Sequence, residues 1–166
     1  RAHPSVVFES DDWGACEKCR TLVEAEKLKA LSGVGWYSTL EAASDLERLY
    51  GMLERFDDSN GIHPVFTAFV SVGNPDFTAI RKNGFTEYVD IGIDQGFPAG
   101  WERRDIATTW RNGYYRGVFH PEYHSNLHHT SPIMWLETLR RDDAEGDFAR
   151  ACFDLGMYSQ KVHLPE

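Results

Sequence analysis

The stretch Pro64 to Phe77, "PVFTAFVSVGNPDF", restricts the fold more than any other part of the sequence. It is apolar and β-branched through Val72 and is then broken by Gly73-Asn74-Pro75, the composition of a strand that stops abruptly. Two other short apolar runs behave alike. Val6-Val7-Phe8 predicts a buried strand whose C-terminal end carries Asp11 and Asp12, and Gly117-Val118-Phe119 predicts a third, leading into "HPEYHSNLHH". Helix signals lie between and after these runs. Residues 18 to 31 are rich in helix formers and end near Gly33 and Gly35. Ser38-Thr-Leu-Glu41 has the form of a capping box, and Leu46, Leu49, Tyr50, Leu53 and Phe56 recur behind it at helical spacing. Arg103 to Asn112 predicts a short helix with Gly113 just past its end, and Ser131-Pro132 starts another whose apolar face is Trp135, Leu136 and Leu139. Residues 77 to 101 predict a long loop with short pieces of structure.

Strands alternating with helices imply parallel pairing, hence an α/β layer fold or an α/β barrel. Function in such folds gathers beyond the C-terminal ends of the strands. Asp11-Asp12, Asn74 and the histidine cluster each follow a predicted strand, as a single active site requires. A chain of 166 residues, 42% hydrophobic and 13% aromatic, is long enough for one domain with a real core. Its net charge of −9 argues against a nucleic-acid or anionic-membrane surface. No run reaches the roughly 18 apolar residues of a membrane span. Arg1 is expected to follow a cut N-terminus, because a strand begins almost at once.

Four of seven histidines, His120, His124, His128 and His129, fall within ten residues. His124 and His128 are four apart, so on one helical turn both imidazoles face the same way and can grip one ion. A zinc-protease motif would need glutamate after the first histidine, and Ser125 stands there instead. Asp11 and Asp12 can supply what is missing: one carboxylate completes the ligand set, and its neighbour takes a proton from water acidified by the metal.

"SDDWG" together with "HSNLH" resembles the polysaccharide deacetylases, the NodB-homology carbohydrate esterases, whose first motif is a strand ending in Asp-Asp and whose second is His-(Ser/Thr)-x-x-His. "DDWG", "GNPDF" and "PEYH" more closely resemble a divergent bacterial, deacetylase-like branch of that family. The resemblance implies Asp11 as catalytic base, Asp12, His124 and His128 as ligands of one divalent ion, zinc in most members, and Ser125 as the hydroxyl that steadies the second motif. It implies a distorted (β/α) barrel of parallel strands and hydrolysis of acetyl groups from an N- or O-acetylated sugar. The two motifs are more widely spaced than in typical members, which implies an insertion around residues 77 to 116. The family's arginine, tryptophan and histidine motifs are not found after residue 135, and the context of His163 does not match. The chain is therefore expected to be one domain that is the first half of a longer one, with an incomplete barrel and the general acid elsewhere.

Several residues have two readings. Trp13 and Tyr123 can stack on a sugar ring or pack in the core. Asn74 can bind substrate or cap the turn at Pro75, and His129 can donate to the reacting group or be a surface neighbour of a ligand. The chemistry has rivals too. A deacetylase-like module without its distal motifs can be a non-catalytic carbohydrate reader. "WGACEKCRTL" also resembles a thioredoxin active-site stretch, with Cys16 as attacking thiol. The bland expectation is two thiols on a first helical turn, one of them partly buried. A structural-zinc half-site is a further option that Cys152 does not complete.

Overall fold

The computed structural model describes residues 6–16, 19–32, 40–101, 103–126 and 131–158. In chain order the elements are β1 (Phe8–Trp13), α1 (Leu22–Ser32), α2 (Ala43–Leu53), β2 (Phe66–Ser71), β3 (Gly73–Pro75), α3 (Phe77–Lys82), β4 (Asp90–Gly92), α4 (Ile106–Tyr115), β5 (Phe119–Ser125), α5 (Pro132–Arg140) and α6 (Ala144–Asp154). Among the described residues β1, β2 and β5 form a sheet in the order β1-β2-β5, with both pairings parallel. This is a mixed α/β fold built on a parallel sheet, as the alternation of strands and helices predicts. The described strands do not close into a barrel.

One face of the sheet carries the main core. Leu46, Tyr50 and Leu53 of α2 and Ile106 and Trp110 of α4 meet Ala68 and Val70 of β2 and Phe119 of β5. Period-two alternation explains the choice of faces, because Ala68 and Val70 point one way and Thr67 and Phe69 the other. α4 lies so close to α2 that a Cβ on Gly113 would run into the Tyr50 ring. That contact corrects the expectation of a helix ending before Gly113: the glycine is inside α4 because only it fits there, and the helix runs on to Tyr115. The Arg116 guanidinium then forks onto Glu54 with two 2.7 Å bonds and reaches Glu47, tying the end of α4 to α2.

A second core joins α3, α5 and α6 through Ile80, Trp135, Leu136, Leu139, Ala149 and Phe153. α5 begins with Ser131 as cap residue and Pro132 in its first turn, as predicted. The stretch after β2 turns aside at Gly73, and β3 pairs antiparallel with β4. The 77–116 region is thus structured: Ile93 N–H donates to Val72 O at 2.9 Å, which brings this region against the end of β2. No described helix is long and apolar enough to cross a membrane.

Candidate metal centre

Parallel pairing puts the C-terminal ends of β1 and β5 on the same rim, on either side of β2. Both strands are irregular there. Ser10 pairs with Ala68 but Trp13 with Val70, so three steps along β1 match two along β2. Tyr123 pairs with Val70 and Ser125 with Ser71, so two steps along β5 match one. Each strand therefore holds one extra residue at its end, a β-bulge, which bends the strand and re-aims its side chains. In regular strands Asp11 and Asp12 would point to opposite faces. The bulge, with Asp12 at φ 66°, breaks that alternation. His124 is the extra residue of β5.

The result is convergence. Asp11, Asp12 and His124 each offer a ligand atom within 4.8 Å of the others, and among the described residues no other group of three His, Cys, Asp or Glu side chains does so. His124 Nε2 lies 3.4 Å from Asp12 Oδ1. Two ligand atoms each about 2.1 Å from a tetrahedral ion stand about 3.4 Å apart, so this pair already has the span of one coordination edge. A borderline nitrogen donor and two hard oxygens suit zinc and similar divalent ions. The three residues could hold a metal ion. Asp11 is the exposed carboxylate, whereas Asp12 and His124 are part-buried.

His128 and His129 lie outside the described residues. His124 itself corrects one expectation: it belongs to a strand and not to a helical turn, so its approach to the aspartates comes from the β5 bulge. His120 stands earlier on β5 and bonds Glu122 at 2.9 Å, away from the group. Ser125 Oγ is 3.2 Å from Ser71 Oγ, and Ser125 O accepts from Val72 N–H at 2.9 Å, so this residue steadies the end of β5.

The other singled-out residues separate clearly. Trp13 turns to the core, edge-on to Phe66 and Phe119 at 5.5 and 5.9 Å. Tyr123 is 63% exposed and donates to Asn126 Oδ1. Asn74 is 2% exposed and turned inward: its Oδ1 accepts from Cys16 N–H at 2.7 Å and its Nδ2 donates to Gly14 O at 2.8 Å. Its amide is thus used on the backbone behind the aspartates, which corrects the readings of a substrate contact and of a cap for Pro75.

Sequence reasoning missed the role of Glu41. Its capping-box partner Ser38 is outside the described residues, and α2 starts at Ala43 with Asp45 accepting from Ala42 N–H at 3.0 Å. Glu41 Oε1 instead accepts from Gly14 N–H at 3.1 Å. Burial pushes its carboxyl up to about 7, against the pull of its own and the Gly14 backbone N–H groups and of Arg103. Only an unusual glutamate beside an interrupted helix start could have hinted at this.

The three cysteines are buried, and Cys16 and Cys19 fall into separate clusters. Neither Cys16 nor Cys19 is on the first turn of α1, which starts at Leu22, and each is 1% exposed. Cys16 joins Leu40 and Trp101, whereas Cys19 joins Ala25, Cys152 and Met157. Burial pushes the Cys19 thiol up, opposite to the lowering that a reactive thiol needs, and pushes Cys152 to about 12. No family model, curated protein or solved structure matches this chain.

Proposed function

We infer that this chain is the metal-binding part of a hydrolase that removes acetyl groups from an acetylated sugar, with a NodB-like barrel as its complete fold. The observation that carries the reading is the meeting of Asp11, Asp12 and His124 at the C-terminal rim of a parallel sheet. Asp12 and His124, which come from the two stretches that resemble the deacetylase motifs, are 112 residues apart in sequence, and their approach supports this reading.

Asp12 and His124 would hold the ion, with His128 as the third ligand that the resemblance implies. A divalent ion in that place supplies Lewis acidity, which lowers the pKa of water and polarises a carbonyl. Asp11 is exposed and adjacent, so its carboxylate takes the proton of the attacking water. The exposed ring of Tyr123, on the same strand as His124, offers a sugar a stacking surface.

Deacetylation of N- and O-acetylated oligosaccharides by the metal-loaded chain and its Asp11→Asn variant tests the mechanism. Asp11→Asn is expected to abolish acetate release while the ion stays bound. Normal rates in Asp11→Asn would overturn the assignment of the base. Sugar binding without acetate release by the wild type would favour the non-catalytic carbohydrate reader.

A further inference from the structure

The backbone of Gly14, two residues after Asp12, is held through both of its polar groups, which belong to the two peptide units on either side of its Cα. Its N–H donates to Glu41 Oε1 at 3.1 Å and its C=O accepts from Asn74 Nδ2 at 2.8 Å. Asn74 also receives Cys16 N–H at 2.7 Å, so one buried amide holds two points of the turn that leaves β1. Glu41 and Asn74 are 27 and 60 residues away in sequence, so the grip joins three separate stretches of chain. The turn needs holding, because Asp12 has φ 66° and Gly14 φ 76°. Gly14 also has no room for a side chain: a Cβ there would meet Ile93 Cδ1 at 2.9 Å, Ser71 O at 3.0 Å and the Trp110 ring at 3.1 Å.

We propose that Glu41 and Asn74 are positioning residues for the metal centre: by clamping the two peptide units that flank Gly14 they hold the β1 bulge in the shape that aims Asp11 and Asp12 at His124. Neither side chain needs to touch the ion. Their effect reaches it through a main chain that would otherwise relax toward a regular strand, with the aspartates alternating to opposite faces. This inference rests on the metal site proposed above.

The test is Co(II) titration of the purified chain, reading both affinity and the visible absorption that reports coordination geometry. Wild type, Glu41→Gln, Glu41→Ala and Asn74→Ala are compared, with Ile80→Val as a destabilising change in the second core and with thermal melts in chelator as the folding control. Glu41→Gln keeps an oxygen acceptor for Gly14 N–H and is expected to bind Co(II) as the wild type does. Glu41→Ala and Asn74→Ala are expected to bind roughly 10- to 100-fold more weakly, the usual scale for groups supporting a ligand, with an altered spectrum. Ile80→Val is expected to melt earlier with affinity and spectrum unchanged. If Asn74→Ala does not fold, the Gln and Ala variants of Glu41 decide. Wild-type affinity and spectrum in both alanine variants, or equal losses in Ile80→Val, would overturn the clamp and leave the metal site standing. No Co(II) binding by the wild type would overturn the metal site and the clamp with it.

Discussion

Asp11-Asp12 and Cys16-x-x-Cys19 are separated by three residues, yet they end in opposite environments. The aspartates stay at the sheet rim, where a strand bulge turns them toward His124 on another strand. The cysteines are 1% exposed and part company into two core clusters. A pair of reactive residue types close in sequence makes a site only if the backbone brings their functional atoms together and leaves them reachable. Here the backbone does so for the carboxylates and undoes it for the thiols.

The largest expected effect breaks the carboxylate side. Asp12→Ala is expected to weaken Zn(II) binding by roughly 100-fold or more, read by competition with a chromophoric chelator. Unchanged affinity would place the ion elsewhere. The next concerns the grip on the turn between the two pairs. The Glu41 carboxyl titrates at about 7 in the folded chain against an ordinary 4.5, so the folded state binds its proton more tightly than the unfolded state. Its contribution to stability is therefore complete below pH 4.5 and is lost as pH rises toward and through 7, a loss of about 3 kcal/mol if the whole shift is realised. Urea denaturation of the metal-free chain at pH 4.5 and pH 8 should show this decline, and Glu41→Gln should flatten it. An equal decline in Glu41→Gln would assign it to other groups.

Gly14→Ala sharpens the same boundary. A left-handed φ and three contacts at about 3 Å predict a loss of about 2 kcal/mol in denaturation, with weaker metal binding. The smallest effect is on the cysteine side. All three buried thiols should react with a disulfide reagent only at the rate of unfolding, and Cys16→Ser/Cys19→Ser should change metal content not at all. A fast-reacting thiol in the native chain would reopen the redox reading.

Much of the fold was legible because its signals are local. The apolar β-branched run ending at Gly73, the Ser131-Pro132 helix start and the leucine spacing of α2 all depend on a few neighbouring residues. The site was legible in its residue types and not in its geometry. A bulge is a mismatch between two strands, and the sequence of either strand alone does not display it. The four-residue spacing of His124 and His128 suggested a helical turn, but pairing with β2 carries strand structure through Ser125. Glu41 read as a helix cap because that motif is local, while its observed partner is 27 residues away. Gly113 read as a helix end until the Tyr50 ring is seen against it.

Metal content by mass spectrometry on the purified wild type, His124→Ala and Cys16→Ser/Cys19→Ser chains tests the central claim most directly. About one divalent ion per wild-type chain, kept by the cysteine variant and lost by His124→Ala, is the expected result. Metal lost with the cysteines and kept in His124→Ala, or a well-folded wild type that takes up none, would contradict it.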